Sequence, residues 1–251
     1  MNLKGGTGKT VTAINLAADL SEFFDAKVLL ADADSQASLT EFVSLDGALD
    51  AGKPRLGGMA DLLRGLDAVP EQTTIRNCQL LGADSSLIEL DVTAAKTGVA
   101  DPDALRRYLA ERRDRWDYAV IDCPPAFSAA AVAALMSSDE VVIPMKLDAF
   151  GIRGMGNLLQ QVRSMRKLNP GLMVAGILPT MYYKSEQLDR AEEMLRNSGL
   201  PCFRHIRRSN MVDDSTFLQR PLIRTSPRSG ACQDYRKFVT ALVEGGAEYG
   251  V

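Results

Sequence analysis

The sequence predicts an α/β fold, a doubly wound and mostly parallel sheet with helices on both faces. Short Val/Ile/Leu-rich runs alternate with longer segments of helical period, a glycine-rich loop opens the chain, and aspartates stand where apolar runs end. The length of 251 residues and a hydrophobic fraction of 46% are enough to bury a sizeable core.

The predicted strands are "KVLLAD" (27–32), "DYAVID" (117–122), "DEVVIPM" (139–145) and "LMVAGILPT" (172–180), each too uniformly apolar for a sheet with one wet face. The predicted helices are 11–24, 101–115, 154–168 and 185–198, where apolar residues recur three and four apart, often behind a Ser or Asp cap. Residues 33–77 are the least regular stretch and read as loops around a short helix near 59–64. There are no repeats, low-complexity tracts or Pro/Ser-rich linkers, so the reading is one domain over 1–251.

Composition narrows the class. The four cysteines (Cys78, Cys123, Cys202 and Cys232) are scattered without a CxxC pair, and His205 is the one histidine, so a zinc site or disulfide framework is not indicated. The longest apolar run, "AAAVAALM" (129–136), is too short to span a bilayer, and no charged segment followed by an apolar one opens the chain. These features predict a reduced, cytoplasmic protein with no membrane partner.

"KGGTGKT" (4–10) matches the phosphate-loop pattern G-x-x-x-x-G-K-[ST] except that Leu3 stands where the first glycine would be. Gly5, Gly6 and Gly8 allow backbone N–H groups to turn onto phosphate oxygens. Lys9 can reach the β- and γ-phosphates, and Thr10 can hold Mg²⁺ at the start of the following helix. Asp122 ends a strand at the carboxyl edge of the sheet and fits a Walker B acid. Asp32 and Asp34 end another strand, two residues apart and so on one side of an extended backbone, where one of them could orient an attacking water. Singly, each aspartate reads as a cap or turn residue; jointly they read as a nucleotide site.

On these motifs the chain resembles the deviant Walker A partition ATPases, ParA and Soj, relatives of the division-site protein MinD. The likeness runs nearly the whole length, through "KGGTGKT", "DADSQASLT" for the family's D-x-D-P-Q-G-N-x-T, "DYAVIDCPPAFS", "VVIPMKLDAFGIRGMGNL", "LNPGLMVAGILPTMY" and "SPRSGACQDYRKF". It implies ATP and Mg²⁺ as cofactors, with nucleotide held by Lys4, Gly5, Gly6, Thr7, Gly8, Lys9, Thr10 and Val11. Lys4 becomes the signature lysine that reaches the nucleotide of the second subunit across an ATP-sandwiched homodimer. Asp34 becomes the water-polarising residue. Thr10 and Asp122 hold the metal, and Asp32 acts on it through a water. The activity implied is slow ATP hydrolysis stimulated by a partner, a ParB-like centromere-binding protein.

Three departures stand out. Ser35 replaces the family's Pro, Ala37-Ser38 its Gly-Asn, and "RRSNMVDDS" (207–215) a stretch resembling "PRNVRLSEA", which puts Met211 where an arginine linked to DNA contact would stand. Against that, residues 196–236 carry eight arginines and three aspartates in a chain of net charge −3. Arg204, Arg207 and Arg208 are the candidate contacts to a DNA backbone, in a sequence-independent and salt-sensitive mode. The alternative is a solvated arginine-rich surface with internal ion pairs.

The functional expectation is a Mg·ATP-dependent ATPase that partitions plasmid, chromosome or mobile-element DNA. It dimerises with ATP, binds duplex DNA without reading bases, and is cytoplasmic and nucleoid-associated when ATP-bound. The other reading is a MinD-like positioning scaffold with little hydrolysis and no DNA role. Only Met1, Asn2 and Leu3 precede the loop, fewer residues than a strand of about five or six needs; the expectation is a first central strand that begins upstream of Met1.

Overall fold

The run 27–32 forms β1 (Val28–Asp32), all five residues of which are buried. Its residues 28–31 are apolar, as befits a central strand with a parallel neighbour on each side, β3 (Cys78–Leu81) and β4 (Tyr118–Asp122). At the edge, β2 (Glu71–Gln72) pairs antiparallel with β3, giving the order β2-β3-β1-β4. The mostly parallel sheet is therefore as expected, with one antiparallel edge strand. The computed structural model describes residues 4–45, 56–148, 156, 159–160 and 162–245.

The chain divides into two compact units, Ala17–Ser138 and Met1–Leu16 with Asp139–Val251. It passes from one to the other inside helix α1 (Lys9–Phe24) and again between Ser138 and Asp139, at neither point through a linker. Composition alone therefore marks no boundary.

The unit Ala17–Ser138 contains this sheet and helices α2 (Ser38–Val43), α3 (Met59–Leu63), α4 (Ser86–Thr97), α5 (Ala104–Glu111) and α6 (Ala129–Ser137). Its core joins Leu29 and Leu81 of the strands to Met59, Leu63, Leu90 and Leu105 of the helices. Helix α6 starts where Ser128 Oγ accepts the N–H of Ala131 at 3.1 Å, a side-chain cap that satisfies one of the free donors of the first turn. The same turn is held by Asp91, whose carboxylate accepts the N–H of Ala129 at 2.8 Å.

In the other unit, β5 (Glu140–Lys146) and β6 (Met173–Thr180) form a parallel pair with a register shift between Val141 and Val142. Opposite that shift Gly176 lets the ring of Phe203 lie on the strand: a Cβ there would come within 2.6 Å of Phe203 Cε2. Phe203 in turn meets Phe238 edge-to-face at 4.9 Å. Helices α7 (Glu186–Arg196), α8 (Asn210–Phe217), α9 (Leu222–Thr225) and α10 (Gly230–Val243) complete the unit. Ser185, Ser209 and Ser229 cap α7, α8 and α10 with their hydroxyls. Of the helix expected over 154–168, residues 156, 159–160 and 162–165 are helical, 166–168 form a turn, and 154–155, 157–158 and 161 lie outside the described residues. No helix among the described residues is long and apolar enough to cross a membrane.

Candidate functional site

The glycine-rich loop runs directly into α1, so Lys9 and Thr10 occupy its first turn, where backbone N–H groups have no partner within the helix. Gly6 and Gly8 have φ of 68° and 81°, a left-handed conformation that explains glycine at both places. At Gly5 and Gly6 an added Cβ would meet no described protein atom within 4 Å, so nothing crowds that face of the loop.

Within the same unit the loop is anchored from several elements. Thr180, at the end of β6, donates its hydroxyl to the Thr7 carbonyl at 2.9 Å, and Thr7 is buried. Asn15 donates to the Val11 carbonyl and accepts the N–H of Leu222 at the start of α9. Thr12 and the Tyr235 hydroxyl of α10 are 3.4 Å apart, and burial pushes the Tyr235 phenol up to about 12. Three segments remote in sequence therefore fix the entrance of α1, which gives the glycine-rich turn a rigid base.

The two loop lysines are engaged differently. Lys9 Nζ donates back to the Lys4 carbonyl at 3.4 Å, while Lys4 Nζ forms an ion pair with Asp148 at 2.6 Å just beyond β5. Asp148 was not among the candidates read from the sequence. Its only signal is that it ends an apolar strand, in "MKLD".

In the unit Ala17–Ser138, the register of β1 and β4 places Asp32 directly opposite Asp122 at the carboxyl ends of adjacent strands. Both are buried, at 0% and 3% exposure. Burial first, and the Asp122 charge second, push the Asp32 carboxyl up to about 7, against the hydrogen bonds from Thr40 and Asp34 that favour its anion. Two buried carboxylates side by side are hard oxygen donors of the kind that suit Mg²⁺. Asp32 is nonetheless already well supplied: Oδ1 accepts the N–H of Asp34 at 3.0 Å, and Oδ2 accepts the N–H and hydroxyl of Thr40 at 2.9 and 2.8 Å. Asp34 is less buried and its Oδ1 accepts the N–H of Gln36 at 3.0 Å. Thr40, the last residue of the "DADSQASLT" motif, was quoted there without a role.

All three candidate DNA contacts, Arg204, Arg207 and Arg208, are exposed, but they differ in what holds them. Arg207 makes a fork with Asp234 of α10, Nε to Oδ2 at 2.7 Å and Nη2 to Oδ1 at 2.9 Å, and its own N–H also reaches Oδ2. Gly230 lets this guanidinium pack flat, since a Cβ there would stand 2.6 Å from Cζ. Arg196 pairs with Glu192, which also takes the His205 ring nitrogen at 2.9 Å. Part of the local positive charge is thus matched inside the unit.

Asp234 is 5% exposed, so Arg207→Ala leaves a buried carboxylate with little beyond a backbone donor. The expected cost is about 1–3 kcal/mol, read as a lower urea midpoint, with Arg208→Ala near wild type.

The sequence matches the family model described as an AAA domain over residues 1–174. It is 30% identical over 240 residues to the sporulation initiation inhibitor protein Soj of Bacillus subtilis, covering 93% of this chain and 92% of that protein. It is 32% identical over 204 residues to the chromosome-partitioning ATPase Soj of Treponema pallidum, covering 78% and 74%. Among solved structures, cobyrinic acid a,c-diamide synthase of Mycobacterium smegmatis with bound ATP analog and magnesium superimposes with a TM-score of 0.79 at 26% identity, covering 97% of this chain and 92% of that one.

Proposed function

We propose, from the premise that the chain belongs to the AAA domain family and within it to the ParA/Soj/MinD group of P-loop ATPases, that it hydrolyses Mg·ATP and uses the nucleotide to switch a homodimer that positions DNA. One fold in this family serves proteins named for different activities, so the partition role rests on the Soj relatives and not on the architecture. The observation that carries the reading is a glycine-rich loop, with Gly6 and Gly8 left-handed, that runs straight into the first turn of α1; the two in-register aspartates at the carboxyl ends of β1 and β4 agree with it.

In this reading Gly5, Gly6, Thr7, Gly8 and Val11 surround the phosphates with the loop and first turn, and Lys9 places its charge on the β- and γ-phosphates. Thr10 and Asp122 would hold Mg²⁺, with Asp32 acting on it through a water. The ion, when bound, neutralises charge on the phosphate oxygens. Asp34, less buried than Asp32, orients the attacking water, and Lys4 leaves Asp148 to contact the nucleotide of the second subunit.

The test that separates this function from a nucleotide-dependent scaffold is steady-state phosphate release with Mg·ATP, alone and with duplex DNA and a ParB-like activator. Turnover that DNA and activator raise supports the ATPase reading. ATP binding with no turnover under any of these conditions supports the scaffold.

The ATP-loaded protein is expected to bind arbitrary duplex DNA, with affinity that falls steeply as salt rises. Arg204→Ala and Arg208→Ala should each lower affinity uniformly across sequences and reduce the salt slope by about 1. Arg207 is a poorer probe because its loss also exposes Asp234 to destabilisation. Affinity indifferent to salt and to Arg204 and Arg208 would favour the solvated surface.

A further inference from the structure

Asp32 and Thr40 form a buried polar pair, 0% and 3% exposed, at the root of the loop that carries Asp34. The Thr40 hydroxyl makes two bonds: it lies 2.8 Å from Asp32 Oδ2 and accepts the N–H of Ala83 at 2.9 Å. A backbone N–H can only donate, so the oxygen lone pair serves Ala83 and the single hydroxyl proton goes to Asp32. This one group therefore ties the end of β1 to the backbone just after β3.

The loop between Asp32 and Thr40 is also held by the Ala33 N–H to the Asp122 carbonyl and the Ala37 N–H to the Asp34 carbonyl, both at 2.9 Å, but neither of these bonds reaches the N–H of Asp34. Helix α2 starts at Ala37, which has φ 55° and no side-chain cap bond, a left-handed conformation that costs an alanine about 1–2 kcal/mol and a glycine almost nothing. The missing cap is supplied by Asp32, which accepts the N–H of Thr40 in the first turn of α2. The other oxygen of the same carboxylate accepts the N–H of Asp34. Asp32 is thus a staple with Thr40 on one arm and the backbone of Asp34 on the other.

We propose that Thr40 is a positioning residue for ATP hydrolysis: through Asp32 it fixes the backbone at Asp34 and hence the direction from which the Asp34 carboxylate meets the attacking water. This rests on the reading of Asp34 given above. Thr40→Val keeps the shape and the backbone donor, removes the hydroxyl, and leaves the Ala83 N–H without its acceptor. Thr40→Ser keeps the hydroxyl.

The test compares both variants with Asp34→Ala in the full chain. With T40V, kcat for phosphate release should fall at least tenfold while KM for ATP stays within about twofold; T40S should recover to within threefold of wild type. Without nucleotide, amide hydrogen exchange at Ala83 and Asp34 should speed up in T40V and return to wild-type protection in T40S. Wild-type turnover by T40V, or T40S as impaired as T40V, would overturn the inference while an inactive D34A left the Asp34 reading standing. Robust turnover by D34A would overturn both. Should T40V fail to fold by circular dichroism, T40A against T40S carries the same comparison with the same outcomes.

Discussion

Lys9→Ala is expected to abolish nucleotide binding, and Asp34→Ala to abolish turnover while leaving binding intact. The two variants separate the parts of the site. Lys9 stands on the first turn of α1, where its charge adds to the positive end of the helix dipole, and both act on bound phosphate in the ground state. Removing it therefore costs affinity, by 100-fold or more on the order of a lost charge-assisted contact in a closed site. Asp34 touches no phosphate in the proposed arrangement, and a carboxylate there would repel one. Its contribution arises only as the water attacks, so its loss should appear in kcat, by roughly 100-fold or more, and not in ATP affinity. Equilibrium binding of a fluorescent ATP analogue and phosphate release together check both. Robust hydrolysis by the Asp34 variant would remove that assignment without touching the fold.

The second large effect is expected at Lys4. Lys4→Ala should bind ATP normally but fail to dimerise with it, and lose hydrolysis as a consequence. In the single subunit Lys4 is held by Asp148 at 2.6 Å, with side-chain exposures of 37% and 29%. A pair so accessible to water is worth about 0–1 kcal/mol, so it does not stand in the way of exchange for a triphosphate in a drier interface. Asp148→Asn gives the counterpart: dimerisation with ATP should persist at equal or greater strength, because the competing carboxylate has gone. Loss of dimerisation in both variants would mean that the ion pair itself holds the loop in shape.

Much of the fold was legible because short apolar runs mark strands whether or not they end up covered: β1 is wholly buried, while β4 is exposed or half-buried up to Asp122. The runs 27–32, 117–122, 139–145 and 172–180 became β1, β4, β5 and β6 within a residue or two at each end. The strand Cys78–Leu81 left a weaker mark, being four residues long with a glutamine inside it. Helix α10 follows the Ser229 cap and buries Ala231, Tyr235, Phe238 and Val239 at helical spacing, a pattern present in the sequence but absorbed there into a family motif.

The candidate site was legible where its residues are neighbours in the chain. The loop from Lys4 to Val11 and the Asp32/Asp34 pair are local patterns with a stated chemistry. Contacts made by tertiary folding left no trace: Lys4 and Asp148 are 144 residues apart, and Arg207 and Asp234 are 27 apart. That is why a count of arginines over 196–236 could not tell Arg204 and Arg208 from Arg207, which is likewise exposed but fixed to a buried carboxylate. Thr40 is intermediate. Its position in the motif was visible, but its bond to Ala83 depends on β3 lying beside β1.

The ATP switch is tested most directly by sedimentation velocity of the Asp34→Ala chain, which should keep its nucleotide intact during the run. With Mg·ATP the predicted species has twice the 27.2 kDa mass of the chain, and with Mg·ADP it has the mass of one chain. The same species under both nucleotides, whether monomer or dimer, would contradict a nucleotide-switched dimer.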